Sequence, residues 1–192
     1  MTTFMRQLGA GARMILVLTL VVGAIYPAVL WGVGQVARPS AANGSLVEQH
    51  GRVVGSSLIG QSFTGPQWFQ GRPSAVDYSG DASGASNLPA DDPRQVKAVA
   101  DRRTALLKAN LRASGPIPAD ALTASASGLD PHISVAYALW QVPRVAAARH
   151  LAPEQVRRLV EQHTQGRSLG FLGEPRVNVL ELNLALDSLG SR

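Results

Sequence analysis

"MILVLTLVVGAIYPAVLWGVGQV", Met14 to Val36, carries no charged residue in 23 positions. As a helix it would be about 35 Å long, enough to cross a hydrocarbon core of roughly 30 Å. A cleaved secretion signal has a shorter apolar region, about 7–15 residues, followed by a small-residue cleavage site. "SAA" at 40–42 is a weak site of that kind. The run is long, and Tyr26 and Trp31 suit a membrane interface, so the stretch reads as a retained anchor. Arg6 and Arg13 precede it, and only Arg38 follows closely. The excess of positive charge before the span puts the N-terminus in the cytoplasm and the rest of the chain outside.

The chain therefore divides into a cytoplasmic N-terminus (1–13), a transmembrane helix (14–36) and one extracytoplasmic α+β domain (37–192). Inside the span, Ala24, Ala28 and Gly32 recur every four residues and offer a smooth stripe for another helix. Pro27 cannot donate to the carbonyl of Gly23, so a disturbance of the helix is expected there.

Composition narrows the function. The 192 residues include no cysteine, which excludes disulfides and thiolate metal sites. The net charge of +5 is spread thinly, and the pairs Arg102-Arg103 and Arg157-Arg158 are not interleaved with aromatic residues. Nucleic acid is not the expected partner.

Beyond the span, Leu46-Val47 and Val53-Val54 read as strands flanking a turn at His50-Gly51, with Leu58-Ile59 extending the second. Residues 64–93 are rich in Gly, Ser, Pro and Asp, too long for an ordinary loop, yet Trp68, Phe69 and Tyr78 offer apolar surface to bury. Asp92-Pro93 starts a helix whose expected inner face is Val96, Ala100, Leu107 and Leu111, with Val99 and Leu106 beside it. A short helix follows Ser134, and Pro143 is expected to end it and open a second segment. Pro153 and Gly166 bracket a helix carrying Val156, Leu159 and Val160. Asn178 caps a last one, with Val179, Leu182, Leu186 and Leu189 as its stripe.

No catalytic set emerges. Ser125, Ser127 and His132 lie within "TASASGLDPHIS", but Thr123 and Leu129 stand where G-x-S-x-G needs glycines. A loop turning into a helix through Asp130-Pro131 is the better reading. His50, His132, His150 and His163 lack metal-ligand spacing. Asp91-Asp92 suits capping rather than acid–base work, and no phosphate-binding P-loop motif is present.

Several stretches together resemble the KdpC family, the C subunit of the bacterial Kdp potassium-transporting P-type ATPase. They are Tyr26-Pro27, "NGSLV" (43–47), "GSSLIGQSF" (55–63), "RPSA" (72–75), "SGASNL" (83–88), "SGLDPHIS" (127–134), "QVPRVAAAR" (141–149) and "GEPRVNVLELNLALD" (173–187). Trp68 stands where the family more often has Tyr, and Ala85 where a Gly is expected. The resemblance implies a non-catalytic subunit with no cofactor of its own, in the bacterial inner membrane. Its implied partners are a channel-like potassium-binding subunit, an ATP-hydrolysing subunit that handles the nucleotide, and a small membrane peptide. It points to Gln61, Arg72, Pro73, Asn87, Asp130, Arg144, Glu174, Arg176, Asn178 and Asn183 as structural or partner-facing residues. The family is also described as a catalytic chaperone raising ATP affinity. With the domain outside, such an effect acts at a distance. The rival reading, a membrane-anchored cell-envelope sensor, needs a cytoplasmic output, and thirteen residues before the span are few for one.

Overall fold

The computed structural model describes residues 2–190. It divides into two compact units, one ending at Leu46 and the other beginning at Val47. The first is helical: α1 (Thr2–Leu20), a π-helical turn (Val21–Ile25), α2 (Tyr26–Ala37) and a single turn, α3 (Pro39–Ala42). Thr3–Ala37 is long and apolar enough to cross a membrane, with mean hydropathy 2.3 in an 18-residue window. The wide turn answers Pro27. The Tyr26 N–H reaches five residues back to the Val21 carbonyl. One extra residue in the turn before the proline ring relieves its clash and keeps the helix continuous.

The second unit opens with a hairpin, β1 (Leu46–Gln49) and β2 (Arg52–Ser56). His50 and Gly51 both have positive φ, 52° and 74°. A two-residue turn of that kind matches the twist of paired strands. Strand β2 stops at Ser56, so Leu58-Ile59 does not extend it. The Ser56 hydroxyl accepts from the Leu58 N–H and turns the chain away instead.

Next come α4 (Pro93–Ala109), α5 (Ala119–Leu122), β3 (His132–Ser134), α6 (Val135–Arg149), α7 (Pro153–Gln162), β4 (Thr164–Gln165), β5 (Arg176–Asn178) and α8 (Val179–Gly190). Strand β5 is central and antiparallel to both β3 and β4, with Ile133 opposite Val177 and Val177 opposite Thr164. Both β3 and β5 run directly into helices. The last strand residue serves as cap each time: the Ser134 hydroxyl accepts from the Tyr137 N–H at 3.0 Å, and the Asn178 Oδ1 from the Glu181 N–H at 3.2 Å. Each strand thus aims its helix at the same core. Ile133, Tyr137, Val142, Val145, Val177, Leu182 and Leu186 are all buried there, with Val156 and Val160 from α7. The expected stripe on α8 stands, except that Leu189 is 39% exposed and Leu180 is buried.

Two expectations are corrected. Pro143 does not break the helix after Ser134, because α6 runs through it to Arg149. The proline removes one hydrogen bond, but buried residues on both sides, from Tyr137 to Ala146, hold the two halves on one core. Helix α4 is capped by Asp92 as read, its carboxylate accepting from the Arg94 N–H at 2.8 Å. Its inner face, however, is Val99, Arg102, Leu106 and Asn110, while Val96, Ala100, Leu107 and Leu111 are exposed. Polar anchors decide the rotation. Arg102 donates to the Leu122 carbonyl, and the Asn110 Oδ1 accepts from Arg144.

Candidate functional site

The segment from Ser57 to Pro73 has almost no regular structure, yet it is pinned along its length by side chains from the helical layer. The Asn178 Nδ2 donates to the Ser57 carbonyl at 2.8 Å. The Asn183 amide pairs with both backbone groups of Phe69, each at 2.9 Å. The Gln141 amide does the same to Gln70, at 2.8 and 3.1 Å. Arg149 donates to the Gln67 carbonyl and stacks 4.1 Å over the Trp68 ring. The Ser125 N–H closes the far end on the Pro73 carbonyl. Backbone groups that would otherwise be buried without partners are satisfied this way, and the strap carries Phe69 fully into the core.

Arg144 is the deepest of these anchors. It is 7% exposed. It donates to the carbonyls of Gly65, Pro66 and Trp68, to Asn110 Oδ1 and to Gln141 Oε1, all within 3.3 Å. No carboxylate neutralises it among the described residues. Burial draws its pKa below the ordinary guanidinium value, and Tyr137 opposes that shift. Carbonyl dipoles arranged around it take the place of a counter-ion.

Arg72 is the second junction. Its guanidinium meets the Asp130 carboxylate at 3.2 Å, and its carbonyl accepts from the Tyr78 hydroxyl. The same side chain borders a cleft of about 380 Å³ with Phe63, Tyr78, Arg102, Leu106 and Tyr137. On its other side is a polar cleft of about 320 Å³ with Asp120, His132, Glu174 and Arg176. Burial pushes both phenols up, Tyr137 strongly and Tyr78 with help from Asp130, so they stay protonated. In the polar cleft the carboxylates already have partners: Asp120 accepts from Ser134, and Glu174 accepts two contacts from Arg167 at 2.8 and 3.0 Å.

Ser125 and Ser127, in "TASASGLDPHIS", sit in turns. The Ser127 Oγ accepts from the Leu129 N–H, and Ser127's carbonyl from Gly84. Gly128 has φ 70°, and a Cβ there would stand 2.7 Å from the Gly84 carbonyl, which explains glycine at this position. His132 lies 3.7 Å from Asp130.

Comparison with known proteins adds the family. A model described as "KdpC: K+-transporting ATPase, c chain" matches residues 8–188. The chain belongs to the KdpC family. It is 53% identical over 194 residues to a protein of Herpetosiphon aurantiacus, covering 100% of this chain and 99% of the relative. It is 52% identical over 179 residues to one of Serratia proteamaculans, covering 92% and 95%. It is 55% identical over 175 residues to one of Burkholderia orbicola, covering 90% and 91%. Each is named potassium-transporting ATPase KdpC subunit.

Within this family member, the residues singled out from sequence fall into two groups. Arg72, Pro73, Asp130, Arg144, Asn178 and Asn183 hold the strap, and Gln61 joins them through its Nε2 to the Val54 carbonyl. Asn87 is exposed with φ 53°, Glu174 is exposed, and Arg176 is the first residue of β5. Ala24 lies in the π-helical turn, and Pro27, Ala28 and Gly32 lie on α2, where Ala28 is exposed and Gly32 half-buried. Sequence reading missed Gln141 and Arg149. Both sit in the quoted "QVPRVAAAR", three residues before and five residues after Arg144, but nothing local shows that they reach a segment some 70 to 80 residues earlier.

Asp130 gives this network a pH dependence. Burial raises its pKa, but hydrogen bonds from the His132 ring and N–H, with the charge of Arg72, outweigh that and hold it below the ordinary value. A depressed carboxylate stabilises the fold above the unfolded pKa, about 4, and that part is lost as pH falls through the lower folded value. Thermal denaturation of the full chain in detergent should therefore show Asp130→Asn less stable than wild type at neutral pH. The gap should narrow as pH falls toward about 2. A constant gap across that range would mean the carboxylate charge is not what matters.

Proposed function

We propose that this chain is a non-catalytic subunit of an ATP-driven potassium-uptake complex in the bacterial plasma membrane. The reading is carried by one observation: the family match spans residues 8–188, the membrane helix and the outer domain together. The N-terminus is cytoplasmic and the domain lies outside, since Arg6 and Arg13 precede the apolar run. The stripe Ala24, Ala28, Gly32 docks against a partner's membrane helix.

On the outer side the domain braces the channel-like subunit. The strap supports this role: eight of its backbone contacts come from α6 and α8 and one from the end of β5, so force applied at the strap passes to the whole core rather than bending a loop. ATP and potassium are handled by the partner subunits. Any effect on nucleotide affinity travels through the bracing of the complex.

A tagged chain, extracted from membranes in mild detergent, should bring down a P-type ATPase and a channel-like protein in fixed proportion. A reporter active only outside the membrane, fused after Arg192, should be active in the same cells. Recovery of the chain alone would overturn complex membership, and a reporter active only in the cytoplasm would overturn the orientation.

A further inference from the structure

The cleft beside Arg72 lies between α4 and the strap, wholly within the second unit. Its volume, about 380 Å³, is in the range of small-ligand sites. Arg102, Ala105, Leu106 and Ala109, three and four residues apart on α4, form one wall. On the strap side stand Phe63 and Gly71. Position 71 has no room for a side chain, because a Cβ there would lie 2.6 Å from the Tyr78 hydroxyl. Among the described residues no acidic side chain lines the cleft.

Two donors at this cleft are uncommitted. Tyr137 is 2% exposed, and its hydroxyl makes no hydrogen bond among the described residues. Nor is that hydroxyl sealed off, since the fully buried side-chain donors without partners are Arg72 Nε and Trp140 Nε1. It therefore opens onto the cleft that Tyr137 lines. Burial keeps the phenol protonated, so it has a proton to donate. Arg102 spends Nη1 on the Leu122 carbonyl and forms no ion pair among the described residues. Its Nε and Nη2 are free to donate. The other polar groups here are already used: the Tyr78 hydroxyl on the Arg72 carbonyl, and the Arg72 charge on Asp130.

We infer that this cleft binds a carboxylate carried on an apolar stem. Charge selects the head group. With Arg72 neutralised by Asp130, the one unbalanced charge is that of Arg102, which matches a monoanion rather than a phosphate. The free edge of a guanidinium presents two parallel N–H groups to two carboxylate oxygens, and the phenol adds another donor. The walls select the stem, because Phe63, Leu106 and the two alanines of α4 offer apolar surface to a ring or a branched chain. A buried hydroxyl without a partner destabilises the empty protein. The neighbouring strap satisfies its polar groups thoroughly, so this exception marks a group kept for a ligand. The carboxylate belongs either to a small organic acid or to an acidic side chain or chain end of a partner protein. The inference holds whether or not the chain assembles with other subunits.

Fluorine NMR tests it on the full chain in nanodiscs, with fluorophenylpropanoate as the probe, its uncharged amide as control and empty discs as blank. The acid should bind with a dissociation constant on the order of a millimolar or below. The amide should bind at least about tenfold more weakly, because the charge-assisted hydrogen bonds are lost. Inorganic phosphate in excess should not displace the acid. Tyr137→Phe should weaken the acid about tenfold, yet it should not lower the melting temperature of the ligand-free chain, since its hydroxyl has no partner to lose. A purely structural tyrosine would not give weaker binding with undiminished stability. Arg102→Met should abolish binding, and if that variant folds poorly, Tyr137→Phe decides alone. Equal binding of acid and amide would overturn the inference, as would wild-type affinity in Tyr137→Phe. Repeating the titration on the chain recovered with its partners separates the two sources. Exclusion of the acid there supports a partner's carboxylate, and unchanged binding supports a small organic acid.

Discussion

Leu182→Asp should unfold the second unit, which begins at Val47. Leu182 is fully buried on α8, in the cluster shared with α6, α7 and β5. The substitution removes an apolar side chain and leaves a cavity, a loss of about 2–5 kcal/mol for truncation alone. It also places a carboxyl group where it must either ionise without a partner or remain protonated, at a further cost of several kcal/mol. Domains of this size are stable by only about 5–15 kcal/mol, so the sum reaches the whole margin. The apolar N-terminal helix should still form in detergent, because its hydrogen bonds are internal. Near-ultraviolet circular dichroism of the full chain in detergent should lose its signal, while the far-ultraviolet helical signal falls only partly. A cooperative melt close to wild type would refute the packing described for α8.

Arg144→Met should be nearly as damaging, by another route. Methionine fills much of the same volume, so packing changes little. What is lost is a set of donors. The carbonyls of Gly65, Pro66 and Trp68 and the side-chain oxygens of Asn110 and Gln141 then face a thioether. Buried acceptors without partners cost about 1–3 kcal/mol each where no water can enter. Some of these groups will find water, so about 3–5 kcal/mol is expected in total. The strap should come loose before the core does. Limited proteolysis should therefore cut within residues 57–73 at temperatures where wild type is resistant. Arg149→Ala should do less, since Arg149 contributes one carbonyl contact, a stacking contact and an ion pair to a half-exposed Asp187. Equal protease resistance in the Met variant would show that the strap is held by Phe69, Asn183 and Gln141 without Arg144.

The two variants separate what was legible in the amino-acid order from what was not. The role of Leu182 is written in the spacing of apolar residues along α8, and Asn178 announces the start of that helix. Arg144 is different. On sequence alone it is one arginine in a helix with Ala and Val neighbours, and its five acceptors come from three separate stretches of chain. Charged residues are rarely buried, so nothing local predicts that this one is.

The amino-acid order by itself determined the long apolar helix, the hairpin turn at His50-Gly51, and the starts of α4, α6 and α8, because these depend on hydrophobic run length, backbone preference and caps a few residues away. The family is legible too, in a specific order of motifs. Tertiary structure alone decided three things. It carried α6 through Pro143, since packing on both sides outweighs one missing hydrogen bond. It chose between two apolar stripes on α4, since Arg102 and Asn110 found polar partners on one side only. And it turned the irregular segment at 57–73 into a fixed strap, since that segment's hydrogen bonds go to side chains far along the chain rather than to its neighbours.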